Sequence, residues 1–437
     1  MLTDSAQANV DIALSAIAAR NSDLAIVTTL NAARAQREAI ASDQRRAAGQ
    51  LSGPLDGMIL GIKDNLAVEG LPWTGGLGAR RETLAKQDAT VVARLSAAGA
   101  IPLAMLNMHE GALGATTDNP HFGRTANPLD PDRTPGGSSG GSGAAIPAGF
   151  GDITLGTDTM GSVRLPAAYC GVAGLKPTRG LIPRTGLIFL SPTFDTIGPL
   201  AQDVETLAAM AEVMAGQDQG DPASKPVPGG WRARPATALP AGLTIGIPKQ
   251  IDDVACEDEV LQGLALARGA LERAGAGVSD VDLRGWQPAR ARRGGLLVCE
   301  AEGAIALSAI LDRPGSELMS DELRDLLSYG RNLSADRLAD GHARIQAAAD
   351  SATQGFADVD VLLMPTAPQR AFRHSDPVPA NQADLTSLAN FHGGPAVAVP
   401  VPGNGLPNSV QIVGPDYSEA LVLTIGRVLE TALAMRN

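Results

Sequence analysis

Two glycine- and serine-rich segments lie close together in this chain, and both place hydroxyl groups beside glycines. Residues 136–143 read GGSSGGSG, and residues 156–162 read GTDTMGS. Glycine has no Cβ and readily adopts positive φ angles, so the backbone of such segments can approach a ligand closely. The run ITLG at residues 153–156 is apolar and partly β-branched, which predicts a buried strand between them. Flexible linkers share this composition but rarely flank a buried strand. Both segments are therefore candidate binding loops that carry serine.

A lysine ends the apolar run MILGIK, directly before Asp64 and Asn65. The chain has five lysines and 30 arginines. Because lysine is rare in this chain, Lys63 is not one of many interchangeable surface lysines. The structural alternative is a lysine that reaches solvent or pairs with Asp64. Burial disfavours the charged ammonium group and lowers its pKa, which makes a buried lysine a candidate base. None of the five histidines lies in the serine-rich segments or beside Lys63. A serine nucleophile needs a base, and lysine is the candidate here.

Three motifs occur in a fixed order: GIKDN at residues 61–65, PGGSSGGSGAA at 135–145 and GTDTMGSVRLPA at 156–167. Together they resemble the amidase signature family. The similarity is dense over residues 53–215 and returns near the end in LANFHGGPAVAVPVP and LPNSVQIVGP. This resemblance implies a single large α/β domain, in which helices cover both faces of a central mixed β-sheet.

The resemblance also assigns catalytic roles to Lys63, Ser138 and Ser162. In that family the Ser162 position is the nucleophile, the Lys63 position is the base, and the peptide bond before the Ser138 position is cis. Because a hydroxyl both donates and accepts a hydrogen bond, Ser138 is expected to relay the proton from Ser162 to Lys63.

The backbone N–H groups of Thr159, Met160, Gly161 and Ser162 are candidate donors to the oxyanion of a tetrahedral intermediate. Met160 departs from the family pattern, which usually has glycine at this position. Its side chain is expected to restrict φ and to narrow the acyl side of the site.

Four further residues are candidate substrate contacts. Met108, Phe391 and His392 lie in segments that match the family, although an isolated aromatic side chain more often belongs to the core. Arg164 has two interpretations, a contact for a substrate carboxylate or a buried ion pair with Asp158, and the second is favoured.

Composition excludes several classes of function. Hydrophobic residues make up 44% of the 437-residue chain and charged residues 19%, as in ordinary globular proteins. The net charge of −12, without a basic stripe, argues against a nucleic-acid partner. The cysteines, Cys170, Cys256 and Cys299, are odd in number and far apart, which favours a reducing compartment and no metal site.

The N-terminal residues carry Asp4 and Asp11, where a secretory signal would have basic charge followed by an apolar run. No later run of about 18 apolar residues occurs, so a membrane partner is not expected. The sequence therefore predicts a cytoplasmic monomer or homodimer without a metal or organic cofactor.

The chain divides into four parts within one amidase domain that spans residues 1–437. Residues 1–50 are predicted to form two outer helices, and 53–215 form the signature core. Residues 216–242, rich in Asp, Pro, Gly and Arg, are interpreted as a surface excursion. Residues 243–437 complete the domain, with helical, variable substrate-specificity elements at about 284–350. Within the core, a strand, a helix capped by Asp88, and a strand at 101–106 are expected.

The sequence thus predicts hydrolysis of a small non-peptide amide, anilide or carbamate through a serine acyl-enzyme. Two alternatives remain open. One is a component of a larger enzyme that resembles the A-type subunit of glutamyl-tRNA amidotransferase, which shares the three motifs. The other is an α/β-hydrolase esterase, because GGSSG also fits G-x-S-x-G with Ser139 as nucleophile and a downstream histidine such as His392.

Overall fold

A computed structural model describes residues 5–434, and its centre is a mixed β-sheet. The strands in chain order are β1 (Val27–Leu30), β2 (Ile59–Lys63), β3 (Ile101–Leu106), β4 (Asp118–Asn119), β5 (Gly123–Arg124), β6 (Ile153–Asp158), β7 (Ala173–Lys176), β8 (Thr196–Ala201), β9 (Thr244–Pro248), β10 (Gly277–Val281), β11 (Val361–Pro365), β12 (Ala396–Val401) and β13 (Asn408–Val413). Eleven of them form one sheet in the order β1-β3-β2-β6-β8-β7-β12-β13-β11-β9-β10, and β4 pairs with β5 separately. Because one sheet runs through the chain, the protein is a single α/β domain.

Helices connect and cover these strands. They are α1 (Ala6–Leu24), α2 (Ala32–Ala47), α3 (Thr90–Ala97), α4 (Gly140–Ala148), α5 (Arg164–Cys170), α6 (Val204–Met214), α7 (Asp258–Arg273), α8 (Pro288–Ala306), α9 (Ser308–Leu311), α10 (Asp321–Arg331), α11 (Ala335–Gly355), α12 (Ser387–His392) and α13 (Glu419–Ala434). Within residues 5–434, no helix combines the length and the apolar character that a bilayer crossing requires.

The sheet is parallel around β2 and antiparallel next to it. Strand β2 pairs in parallel with β3 and β6, whereas β6 pairs antiparallel with β8. All five residues of β2 are buried, as are all six of β6. A parallel strand that is covered on both faces reads as a continuous apolar run, which explains ILGIK and ITLG.

Alternation along β2 divides the core into two layers. Ile59 packs in a cluster with α1, α2 and α4, whereas Leu60 and Ile62 belong to the larger cluster on the opposite face. Successive strand side chains point to opposite faces, so helices on both sides bury one sheet. The fold predicted from the resemblance is confirmed.

The two helices predicted for the N-terminal segment are present as α1 and α2, but a strand between them, β1, was missed. Strand β1 forms an edge of the sheet by pairing with β3. The predicted cap was wrong, because Asp88 does not cap α3, whose N-cap position is Ala89. The Asp88 carboxylate instead accepts two hydrogen bonds from Arg34, at 2.9 and 2.8 Å, and ties the N-terminal helices to the core.

The region between α6 and β9 has neither helix nor strand, and most of its residues between 217 and 242 are exposed. Trp231 is an exception, because its ring is buried and its Nε1 donates a hydrogen bond to Glu419 at 2.9 Å. Helices α8 to α11 occupy most of residues 288–355, so this region is helical.

Candidate active site

Lys63 lies at the carboxyl end of β2, and its side chain has no exposed surface. Its Nζ lies 2.8 Å from Ser138 Oγ and 2.7 Å from Thr157 Oγ1. Burial lowers the pKa of Lys63 to about 7, although the charges of Asp195 and Asp158 act in the opposite direction. A large share of this amine is therefore uncharged at neutral pH and can accept a proton.

Ser138 is held just before the start of α4. The peptide bond between Gly137 and Ser138 is cis, as the resemblance implied, and the Ser138 side chain is fully buried. Its backbone carbonyl accepts a hydrogen bond from the His109 N–H at 3.0 Å. The backbone on both sides is thus fixed, and the hydroxyl is directed at the amine of Lys63.

The loop that follows β6 is organised by Asp158. Its carboxylate accepts hydrogen bonds from the backbone N–H groups of Gly161 at 2.8 Å and Val163 at 3.2 Å. On the other side of the loop, the Thr386 hydroxyl donates to the Met160 carbonyl at 2.7 Å. These contacts fix the backbone where Ser162 is attached.

This arrangement changes the predicted oxyanion hole. The Gly161 N–H is committed to Asp158, so it is not a free donor for an oxyanion. In the described part of the chain, no protein group accepts a hydrogen bond from the N–H groups of Thr159, Met160 or Ser162. Three of the four predicted donors therefore remain for a developing negative charge.

Arg164 does not face a substrate. Its guanidinium is fully buried and forms an ion pair with Asp158, with a distance of 2.9 Å between Nη2 and Oδ1. The remaining donors reach the Thr386 carbonyl, Gln411 and Asn390. All five N–H groups of Arg164 are used. The ion-pair interpretation is therefore correct, and no N–H group is left for a substrate carboxylate. Burial raises the pKa of Asp158, but the charge and hydrogen bonds of Arg164 outweigh it and lower that pKa to about 2.

Ser162 is partly exposed and lies at the wall of a cavity of about 210 Å³. Across residues 5–434, its hydroxyl makes no hydrogen bond to another protein group, whereas that of Ser138 contacts Lys63. The proton relay predicted from the sequence is therefore present only in its second half, from Ser138 to Lys63. A hydrogen bond from the Ser162 hydroxyl to Ser138 would complete the first half.

The cavity beside Ser162 is mainly apolar. Its wall includes Thr159 and Met160 from the loop, Leu190, and Arg292, Leu296 and Cys299 from α8. Burial raises the pKa of the Cys299 thiol well above its usual value, so this cysteine is not an activated nucleophile.

Three predicted substrate contacts do not line this cavity. Met108 is buried in the core. Phe391 packs edge-to-face on Phe194 with ring centres 5.5 Å apart, and His392 packs on Phe356 at 5.1 Å. Neither ring is part of the cavity wall.

The esterase alternative lacks support at Ser139. This residue is fully buried, and its hydroxyl exchanges hydrogen bonds with the backbone of Thr157, at 3.1 Å to the carbonyl and 3.2 Å from the N–H. It does not line the cavity, and no strand precedes it directly. Its role is to tie the start of α4 to β6.

Sequence reasoning missed four residues that support the site. Thr157 is the second partner of Lys63, and Asp195 accepts a hydrogen bond from the Thr159 hydroxyl at 2.6 Å. Thr386 and Asn390 hold the loop from α12, where Asn390 Nδ2 contacts Asp158 at 2.9 Å. Thr157 and Asn390 lie in matched motifs and could have been found there, because buried polar residues need partners.

Chemically, the site joins a buried amine of lowered pKa to a hydroxyl, next to a cavity with a second hydroxyl and free backbone donors. These are the parts of an acyl-transfer site with a serine nucleophile. Among residues 5–434, no group of three or more His, Cys, Asp or Glu side chains is placed to hold a metal ion.

Comparison with known proteins agrees with this class of fold and site. The family model Amidase matches residues 8–423, and the chain belongs to this family. It is an enzyme of the group that acts on carbon–nitrogen bonds other than peptide bonds. It is 35% identical to the A-type subunit of the glutamyl-tRNA(Gln) amidotransferase from Synechococcus sp. (strain RCC307), over 96% of this chain and 92% of that protein.

Two solved structures show the same fold. One, described as a vestigial protein complex that reveals the evolutionary origins of an s-triazine catabolic enzyme, has a TM-score of 0.90 and 33% identity, covering 98% of this chain and 95% of the other. A bacterial aryl acylamidase of the amidase signature family has a TM-score of 0.89 and 25% identity, covering 98% and 93%.

Proposed function

We propose that this protein hydrolyses a small non-peptide amide, anilide or carbamate through an acyl-enzyme on Ser162. The observation that carries the proposal is the 2.8 Å contact between Lys63 Nζ and Ser138 Oγ, in a fully buried setting beside the cavity that Ser162 lines. An uncharged amine there supplies the base that a serine nucleophile needs.

In the first half of the reaction, Ser162 Oγ attacks the substrate carbonyl and its proton passes through Ser138 to Lys63. The oxyanion forms next to the free N–H groups of Thr159, Met160 and Ser162. Such donors are held in place before the reaction, so they stabilise the developing charge without reorganisation.

In the second half, the ammonium of Lys63 returns its proton through Ser138 to the leaving nitrogen, and the C–N bond breaks. Water then attacks the ester on Ser162, and its proton passes through Ser138 to Lys63. Lys63 returns that proton to Ser162 Oγ as the acid leaves. Each proton that Lys63 accepts is released before it accepts the next, so no external acid is required.

The cavity limits the substrate class. Its volume of about 210 Å³ and its apolar wall fit a small acyl group. Helix α8 supplies part of that wall, which supports our proposal that specificity lies in the variable region at 284–350. The three cysteines are free, in keeping with the proposed cytoplasmic location.

The experiment is to incubate the purified protein with a panel of small amides, anilides and carbamates and to detect the acyl-enzyme by mass spectrometry. We expect a covalent adduct on Ser162, and we expect Ser162→Ala to abolish both the adduct and turnover. Ser139→Ala is the matched control, because its hydroxyl contacts only backbone. Loss of the adduct in Ser139→Ala, with retention in Ser162→Ala, would contradict the proposal.

A second candidate is the A-type subunit of an amidotransferase. The observation in its favour is the 35–36% identity to such subunits over most of their length. It predicts glutamine hydrolysis and tight association with further subunits. Co-purification from the native host, together with glutamine turnover, would favour this candidate. A monomer or homodimer that turns over simple amides without partners would favour the first.

A further inference from the structure

The cavity beside Ser162 contains one charged side chain among the residues that the structure describes, Arg292 in the first turns of α8. The rest of its wall is apolar or carries polar groups that are already engaged. Gln382 accepts a hydrogen bond from Tyr169 and donates to the Pro379 carbonyl, and the Thr159 hydroxyl donates to Asp195. A free cationic donor in such a wall marks the place where a polar part of a ligand is recognised.

One nitrogen of the Arg292 guanidinium, Nε, is held by a hydrogen bond, and the other two are free. Its Nε donates to Asp384 Oδ1, and the Arg292 and Asp384 side chains are 11% and 5% exposed. In the described chain, Nη1 and Nη2 have no hydrogen-bond acceptor. The edge formed by these two nitrogens is planar and carries two parallel N–H groups, which match the two oxygens of a carboxylate.

The surroundings of Arg292 also suit an anion. Asp384 balances the charge of Arg292 through a hydrogen bond from Nε, and the exposed Arg293 lies outside the cavity wall. The two free nitrogens of Arg292 therefore supply the attraction. In a cavity of low polarity, their interaction with a negatively charged group is weakly screened.

We propose that Arg292 binds a carboxylate on the acyl part of the substrate, so that the enzyme hydrolyses monoamides of small dicarboxylic acids. This inference rests on the proposed function, because it takes Ser162 as the reacting group. Arg292 binds the carboxylate at the far end of the acyl chain while the amide lies at Ser162. The preferred chain length then reports the separation of Arg292 and Ser162.

The test compares each acid with a neutral amide of the same shape. Malonamate, succinamate and glutaramate are assayed beside propionamide, butyramide and valeramide, with ammonia release as the readout. We expect the wild type to favour one acid over its neutral counterpart by at least tenfold in kcat/KM. Arg292→Gln is expected to reduce this preference by about 10- to 100-fold, chiefly through KM, as for loss of a charge-assisted hydrogen bond.

Three variants control the measurement. Arg293→Gln removes a neighbouring charge that does not line the cavity, and its preference should stay within about twofold of the wild type. Arg292→Lys keeps the positive charge but loses the two parallel N–H groups of the guanidinium. Its preference for the acid should lie between those of the wild type and Arg292→Gln. Arg292→Gln combined with Asp384→Asn avoids an unpaired buried carboxylate, and it should show the same loss if Arg292→Gln folds poorly.

The outcomes separate the two proposals. Turnover of neutral amides that depends on Ser162, with no preference for the acids, would overturn the role of Arg292 and leave the hydrolase intact. Calorimetry of succinamate binding to Ser162→Ala adds a readout without catalysis. If adding Arg292→Gln to this variant weakens binding at least tenfold, the anion site is supported even if no amide is hydrolysed. Equal binding with and without Arg292→Gln would exclude the site.

Discussion

Two lysines are buried in this protein, and they differ in what surrounds the amine. Lys63 and Lys176 both have no exposed surface, and burial lowers the pKa of each to about 7. Lys63 Nζ lies within 2.8 Å of two hydroxyls, those of Ser138 and Thr157. In the described structure, Lys176 Nζ contacts only the carbonyl of the next residue, Pro177, at 2.8 Å.

The comparison separates a buried amine from a candidate base. Burial lowers the pKa at both positions, with help from the charge of Arg164 at Lys176, so a lowered pKa does not by itself identify a catalytic group. A carbonyl has no proton to give, whereas a hydroxyl can pass one on. What distinguishes Lys63 is a hydroxyl partner beside the cavity that contains Ser162.

The largest expected effect comes from removing the amine of Lys63, and removal of the Lys176 amine is its control. Lys63→Ala should lower kcat for amide hydrolysis about 10³-fold or more, because the relay then ends at Ser138 without a base. Lys176→Met should keep kcat within about threefold, since an apolar chain of similar length replaces a neutral amine with one carbonyl contact. Steady-state kinetics on both variants, after folding is checked by circular dichroism, makes the comparison. Equal loss in the two variants would remove the distinction between the two lysines.

The pH dependence sharpens the same contrast. Below pH 7 Lys63 holds a proton and cannot accept another, so kcat/KM should fall about tenfold per pH unit. Above pH 7 the amine is free, and the rate should reach a plateau. A pH profile from 5 to 9 on a neutral amide measures the midpoint, which is expected near 7.

Lys176→Met is the control for this profile, because Lys176 titrates in the same range. If Lys63 sets the midpoint, the variant should keep it within about 0.3 pH units, a shift expected for a distant charge. A midpoint that moves with Lys176, or a profile that is flat below pH 7, would assign the titration to another group.

The sequence predicted the features that depend on local pattern. The apolar run before Lys63 and the run ITLG identified β2 and β6, whereas the mixed sheet was implied by the resemblance to the amidase signature family. Strand β1 was missed because its four residues, VTTL, are short and lie between two strong helices, and only pairing with β3 defines them. The cap at Asp88 was missed because Arg34, 54 residues away, competes for its carboxylate.

The site was predictable in its residue types but not in its hydrogen bonds. Nothing in GTDTMGS shows that the Gly161 N–H turns toward Asp158 and not toward a substrate, since that depends on the loop conformation. Arg292 lies in a helical region without a recognisable motif, and only the fold brings it to the cavity of Ser162. Contacts between distant segments decide both cases, and a pattern within one segment does not contain them.

The smallest expected effect concerns the fit between Met160 and α8. A Cβ built on Gly295 would lie 2.6 Å from Met160 Sδ and 2.7 Å from Phe391 Cζ, closer than nonbonded carbon atoms approach. The absence of a side chain at Gly295 therefore makes room for Met160, the residue that departs from the family pattern. Gly295→Ala should force the flexible thioether into the cavity and lower kcat/KM for longer acyl groups about tenfold, with less effect on acetyl-sized ones.

The two sides of this contact should compensate for each other. Met160→Gly alone should widen the cavity and favour longer acyl chains. Combined with Gly295→Ala, it should restore more activity on longer acyl groups than the sum of the two single effects, because the new methyl group no longer meets sulfur. Gly269→Ala makes the same change on a half-buried face of α7, where only the end of the Arg273 side chain is near, and should leave the chain-length profile unchanged. If the double variant shows only the sum of the two single effects, Met160 and Gly295 act independently. The contact between Met160 and Gly295 would then have no part in the shape of the cavity.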